Sequence, residues 1–224
     1  MLIKPNILDP VLQFVECNNS IRFIDIGCGS GTNTNFWGSS SSLKNLSSKI
    51  DVVGVEPSDK SREILSGFDI NSFASINEIK KGEKFNIIRL NWSLEHVHKP
   101  SLYFKFISDH LTSNGIAVVC VPNNNGLIYK IDKNCLELPV HLYHFDKNSL
   151  LKYASNSNLR LVSFETFSYP SMYIFASQVG LIKTEFSFSK MNLLEAQNFL
   201  KMHSSIDNVG LGNDIVAVFM KGNY

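Results

Sequence analysis

No stretch of this 224-residue chain is apolar for long enough to cross a bilayer, which takes roughly 20 residues. The opening residues include Lys4, Pro5, Asp9 and Pro10 and so lack the apolar core of a secretory signal. Cysteine is scarce. Cys17, Cys28, Cys120 and Cys135 show no Cys-x-x-Cys spacing, which argues against a disulfide framework and for a reduced, cytoplasmic protein. An excess of one charge is missing too. The 21 basic residues nearly cancel the 20 acidic ones, for a net charge of +1. The longest basic cluster is Lys80-Lys81, so neither a nucleic-acid nor a membrane footprint is expected. What remains is 44% hydrophobic and 18% charged residues, enough to bury the core of one α/β domain spanning residues 1–224.

The most informative segment that is present runs from Phe23 to Asn33. An apolar strand, Ile21 to Ile26, breaks into Gly27, Gly29 and Gly31 and is expected to open a helix. Glycines at that spacing allow a tight turn and let a ligand lie against bare N–H groups. Asp25 stands two residues before the first glycine. A dinucleotide fingerprint wants Gly or Ala where this chain has Thr32 and needs no acid at the position of Asp25. A second β-branched run, Ile50 to Val55, ends in Glu56-Pro57. An acid at the tip of the second strand of a βαβ unit is placed to accept from both ribose hydroxyls of a nucleoside.

Strands and helices alternate along the rest. Helices are expected near Asp9 to Glu16, Ser58 to Leu65, Tyr103 to Leu111 and Ser149 to Ser155, and a helical stretch near Asn192 to His203. Further strands are expected at Asn71 to Ala74, Phe85 to Leu90, Gly115 to Val121, Leu159 to Phe167 and Asp214 to Met220. Such alternation with β-branched strands implies a parallel sheet covered on both faces. Two segments stand apart, about 123–145 and about 168–213, and insertions at the carboxyl ends of strands sit over a ligand crevice. They are read as substrate-covering, with Tyr143, Tyr169, Tyr173 and Phe175 as candidate acceptor-pocket aromatics. The Asn- and Ser-rich runs read as loops. His98, His110 and His203 read as surface residues, and Arg89 is odd for a buried strand unless it is paired.

The acid-x-Gly-x-Gly-x-Gly pattern resembles the cofactor loop of the class I S-adenosylmethionine (SAM) dependent methyltransferases. The likeness widens downstream. Phe85 to Val97, with its Leu94-Glu95-His96-Val97 ending, looks like the fourth-strand segment of small-molecule methyltransferases. Leu111 to Gly115 is similar to the family's Leu-x-Pro-Gly-Gly turn. Leu138 to Phe145 resembles a Pro-x-His-x-x-x-Phe segment of a subset that includes ubiquinone-biosynthesis O-methyltransferases and glycan-associated enzymes. Three positions depart from the pattern: Asn86 where Asp is usual, Asn114 where Gly is usual, and Trp92 at the first position of the Glu-x-x-Glu-His that binds a divalent ion in the ubiquinone-type enzymes.

The resemblance implies a Rossmann-like, seven-stranded, mostly parallel sheet with an antiparallel last strand, and SAM as cofactor. By it, Gly27, Cys28, Gly29 and Gly31 carry the cofactor with Asp25 shaping the loop, and Glu56 takes the ribose. Pro57 and Ser75 lie near adenine, and Asn91 and Trp92 beside the methionine moiety. Methyl transfer is an in-line displacement that gains from alignment and dryness. A hydroxyl acceptor gains from a general base, for which His96 is the first candidate, with Glu95 beside it, then His141 and His144. With only Glu95 and His96 adjacent, no metal is expected, although His141 or His144 could complete a site. The expected activity is methylation of a small-molecule or glycan acceptor, at oxygen. The alternative is a catalytically silent partner in a biosynthetic complex. A dinucleotide enzyme is disfavoured by Thr32 and by the lack of a Tyr-x-x-x-Lys pair, and a base methylator by the lack of Asn-Pro-Pro-aromatic.

Overall fold

Seven strands, the interior ones mostly apolar and buried, build the sheet that the helices cover. The structure is a computed structural model that describes residues 21–31, 50–131, 139–168 and 192–222. The expected helix at Asp9 to Glu16, the helix after the glycine loop, and Tyr169, Tyr173 and Phe175 lie outside the described residues. The strands are β1 (Arg22–Ile26), β2 (Asp51–Val55), β3 (Asn71–Phe73), β4 (Phe85–Asn91), β5 (Leu111–Pro122), β6 (Leu159–Phe167) and β7 (Asp214–Lys221). Their order is β3-β2-β1-β4-β5-β7-β6. The pairs from β3 to β5 are parallel, whereas β7 is antiparallel to both β5 and β6. The Rossmann-like sheet with one reversed strand, expected from the resemblance, is the one observed.

Alternate residues of the central strands serve opposite faces, as strand geometry requires. Ile24, Ile88, Val119 and Ala217 belong to one buried cluster, together with Phe104, Ile107, Leu150 and Ala154 from two helices. Phe23, Ile87, Val118 and Val216 belong to the other, together with Leu65. The helices are α1 (Asp59–Ser66), α2 (Pro100–His110), α3 (Leu127–Ile131), α4 (Lys147–Ser155) and α5 (Leu193–Asn208), with short 3₁₀ turns at Ile76–Glu78 and Leu94–His96. Local chemistry starts them. The Ser58 hydroxyl accepts from Ser61 N–H to cap α1, and Pro100 opens α2 where its missing N–H costs nothing. Capping boxes, Asp146 with Ser149 and Asn192 with Glu195, open α4 and α5.

Three sequence readings are corrected. Asn123 is more than a loop residue: it is buried, and its side-chain amide donates to the carbonyls of Gly210 (3.2 Å) and Gly212 (2.6 Å), tying the loop after β5 to the start of β7. His203 is not on the surface. It is 1% exposed, with Nδ1 3.2 Å from Asp207 Oδ2 on the same helix. The helix that carries it, α5, packs against β6, where Thr166 Oγ1 donates to the Asp207 carbonyl at 2.6 Å. His110 is half-buried, with Nδ1 2.9 Å from the Glu83 carbonyl oxygen. The departure at Asn86 also has a reason. Its Oδ1 accepts from Arg22 N–H at 2.9 Å, a task an amide oxygen performs as well as a carboxylate.

Gly212 lies where β6 and β7 meet. A Cβ there would stand 2.4 Å from Phe167 N and 2.8 Å from the Thr166 carbonyl carbon, backbone atoms that cannot rotate away. Gly212→Ala is expected to lower stability by about 1–3 kcal/mol, read as a lower denaturant midpoint with an unchanged slope.

Candidate functional site

The carboxyl ends of β1, β2 and β4 converge on one crevice. After β1 the chain turns at Gly27, Gly29 and Gly31, all with positive φ (77°, 54° and 71°), the region that glycine alone enters at no cost. Gly27 N–H donates to the Val55 carbonyl at 2.7 Å, fastening the loop to β2. The loop is also fastened to the turn after β4, where Ser93 Oγ donates to the Ile26 carbonyl at 2.8 Å. A Cβ at Gly27 would sit 2.3 Å from the Ser93 Cβ, so the first glycine is required by close approach as well as by φ.

Asp25 does not face the crevice. It is 1% exposed and pairs with Arg89, itself 2% exposed, its register partner on β4. Arg89 Nε donates to Asp25 Oδ1 at 2.8 Å, a terminal guanidinium nitrogen donates to Oδ2, and the guanidinium carbon lies 5.5 Å from the Phe23 ring centroid. The pairing answers the oddity of an arginine in a central strand, and it sets Asp25 beneath the loop as a support. Beside it, the Cys28 thiol is held far above its ordinary range, first by burial and then by the charges of Asp25 and Glu56. Its surroundings favour the neutral thiol over the thiolate.

Glu56 ends β2 with its carboxylate on the crevice. Oε2 accepts from Gly29 N–H and Oε1 from Ser58 N–H, both at 2.9 Å. Each oxygen has a further lone pair, so the acid can orient the loop and still accept from a hydroxyl. Arg62 Nη1 clamps the carbonyls of Glu56 (2.6 Å) and Pro57 (2.7 Å).

A cavity of about 630 Å³ opens among these elements, within the range of roughly 300–1,000 Å³ usual for small-molecule sites. Of the anticipated cofactor residues, Gly27, Glu56, Pro57, Ser75 and Trp92 line it, and His96 does too. Asp25, Cys28, Gly29, Gly31 and Asn91 do not line it. Asn91 Oδ1 is buried and has no hydrogen-bond partner among the described residues. Ser93, Leu102 and Tyr103 line the cavity without having been anticipated, and so does His98, which is exposed at its rim. Burial raises the Tyr103 phenol.

Trp92 is built with care. It holds a left-handed backbone, φ 48°, which is strained for a bulky residue. Its N–H donates to the Cys120 carbonyl (2.9 Å) and its ring Nε1 to Asp214 Oδ1 (2.9 Å). Asp214 opens β7, and the signal for it was an acid at the head of an otherwise apolar strand.

Beyond Trp92, the 3₁₀ turn carries Glu95, 1% exposed, and the exposed His96. The Glu95 backbone carbonyl accepts from both Leu142 (2.8 Å) and Tyr143 (3.2 Å) N–H groups, and the Tyr143 hydroxyl donates to the His98 carbonyl (2.9 Å). Segment 139–145 is therefore clipped to the turn. Tyr143 spends its hydroxyl on that clip, packs against Phe145 and does not line the cavity. The clip brings His141, 8% exposed, edge-on to His96 with ring centroids 4.9 Å apart. Glu95, His96 and His141 present atoms of metal-ligand type within 4.8 Å of one another. That set lies together although no metal was expected, and the third member is one of the two histidines named as able to complete it. His144 is not part of the set, and its Nε2 is buried with no partner among the described residues.

The comparisons with known proteins fit this geometry. The sequence profile of a methyltransferase domain family matches residues 4–164, and the chain belongs to that family. It has the class I SAM-dependent methyltransferase fold, and the family implies SAM as cofactor. Among solved structures the chain is similar to the YcgJ protein of Bacillus subtilis, at 12% identity and a TM-score of 0.59 over 97% of this chain and 98% of that one. It is similar to a SAM-dependent methyltransferase of Archaeoglobus fulgidus, at 16% and 0.61 over 96% and 91%. It is also similar to one of Clostridium acetobutylicum, at 11% and 0.59 over 97% and 89%. No curated protein matches.

Arg89→Ala would leave the Asp25 carboxylate buried without its ion-pair partner. A loss of about 3–5 kcal/mol of stability is expected, measured by denaturant unfolding, with cofactor binding weakened in the same variant because the loop stands on Asp25.

Proposed function

We propose that the protein transfers the methyl group of SAM to an oxygen of a small-molecule or glycan acceptor, working as one methyltransferase domain in the cytoplasm without a nucleic-acid or membrane partner. One observation carries the reading: Gly27 of the glycine turn, Glu56 and His96 line the same cavity. In this reading the loop Gly27, Cys28, Gly29 and Gly31 receives the methionine end, with Asp25 supporting it from below. Glu56 accepts from the ribose hydroxyls, Pro57 and Ser75 flank adenine, and Asn91 and Trp92 border the methionine moiety. Among the described residues no helix is long and apolar enough to cross a membrane, which agrees with a substrate met in water.

The acceptor hydroxyl approaches from the side of the turn after β4. The Glu95, His96 and His141 set takes its proton. The oxygen attacks the methyl carbon, the sulfur–carbon bond breaks, and S-adenosylhomocysteine and the methyl ether leave. His96 Nδ1 lies 3.1 Å from the Val140 carbonyl oxygen. A carbonyl only accepts, so the proton is on Nδ1 and Nε2 offers its lone pair. Glu95 Oε1 lies 3.9 Å from that Nε2, and the His141 ring packs edge-on against His96.

Calorimetric titration with S-adenosylhomocysteine tests the cofactor half: micromolar binding is expected, weakened tenfold or more (about 1.4 kcal/mol) by Glu56→Ala. His96→Ala should reduce turnover by roughly 10²–10⁴ with that binding unchanged. Binding by the parent protein with no turnover on any hydroxyl acceptor would return the choice to a catalytically silent partner.

A further inference from the structure

We propose that the groove between α2 and the segment joining β3 to β4 docks an acidic segment of a partner protein, one that lays an apolar side chain on the groove floor between its carboxylates. The proposal goes beyond the methyltransferase reading and does not depend on it.

The groove holds about 590 Å³ and adjoins the cofactor cavity at Leu102, which lines both. Its floor is apolar. Ile79 and Phe106 are each 6% exposed and belong to the core, so the floor is closed. Ile76 is half-buried and Leu102 is 51% exposed. Those two leave apolar surface whose removal from water favours a ligand.

The rim is basic. Lys81, Lys84 and Lys105 line it, all exposed, against a single acid, Asp109. That acid is already engaged. Its Oδ2 lies 2.9 Å from Lys105 Nζ, and its main-chain carbonyl accepts from Lys84 Nζ. Nearby acids are engaged as well: Glu83 pairs with Arg22 at 3.1 Å, and Glu78 Oε2 accepts from Ala74 N–H at 3.4 Å. Lys81 has no ion-pair partner among the described residues. Lys221, at the end of β7, adds to the same field. Its ammonium is pushed below its ordinary range, first by burial and then by the charge of Lys84. In a chain whose net charge is +1, this gathering is a local feature, and it attracts carboxylates from a partner.

The floor selects among anions. A single-stranded nucleic acid wants a free aromatic face for its bases, but Phe106 is buried and stacked on His110 with ring centroids 4.2 Å apart. A membrane surface takes a projecting apolar face, and this one is recessed. An extended acidic segment satisfies both parts: its carboxylates meet the three ammoniums while one apolar side chain covers Ile76 and Leu102. Exposed ion pairs are individually weak, so docking is weak and sensitive to salt. The docked partner is held beside the cofactor cavity.

The test is nuclear magnetic resonance titration of the full chain, labelled with nitrogen-15, with the capped hexapeptide Glu-Leu-Glu-Glu-Leu-Glu. Saturable shifts confined to residues 76–84 and 102–110 are expected. Binding should weaken at least about fivefold in the double variant Lys81→Glu with Lys84→Glu, and should be unchanged in Lys60→Glu on α1. A dispersed spectrum from each variant is the check on folding. The same peptide with serine for leucine should bind more weakly. No saturable shift, shifts elsewhere, or binding that the double variant leaves intact overturns the site. Equal binding of the serine peptide overturns the role of the floor, and tighter binding of a short oligothymidine in the groove overturns the protein partner.

Discussion

The structure turns on the buried ion pair between Asp25 and Arg89. β1 and β4 are neighbouring interior strands of the sheet, and each carries one buried charge at the same level. Neither charge tolerates burial alone. Together they hold the two strands in register, and a slip by one residue would turn each charge to the opposite face of the sheet. The glycine turn leaves β1 two residues beyond Asp25 and the 3₁₀ turn leaves β4 shortly beyond Arg89. The register of this pair therefore sets the distance between the cofactor loop and the histidines.

Much of this was legible in the sequence, for identifiable reasons. The interior strands are rich in β-branched and aromatic residues, and β4 in particular begins and nearly ends where its composition says it should. The glycine turn was legible because positive φ leaves few other residues, and Glu56 because an acid ending a strand stands out. What escaped notice was pairing across long separations. Arg89 looked misplaced until Asp25, 64 positions away, faced it. Trp92 and Asp214 are 122 positions apart. His203 reads as an ordinary polar position on an amphipathic helix, and only the packing of α5 against β6 shows that it is buried. Asn123 sits in an Asn-rich run whose composition hides which one of the three faces inward.

The clip between the Glu95 carbonyl and residues 142–143 fixes that segment against the turn that carries His96. Its bonds are main-chain to main-chain, so they survive changes of side chain along the segment. The same clip presents His141 to His96, which makes the histidine pair a consequence of backbone geometry rather than of side-chain packing.

The place of β7 has a consequence for how the molecule is made. It is the last strand of the chain, yet it lies between β5 and β6. A nascent chain that has emerged only as far as residue 213 holds β5 as an open edge and β6 without any partner strand. Trp92 at that stage also lacks the carboxylate that anchors its ring. The chain must therefore keep two edges from pairing wrongly until β7 arrives, a non-local closure of the kind that slows folding and exposes intermediates to aggregation. Loss of β7 alone would remove one strand from the sequence but leave β6 without its partner in the sheet as well.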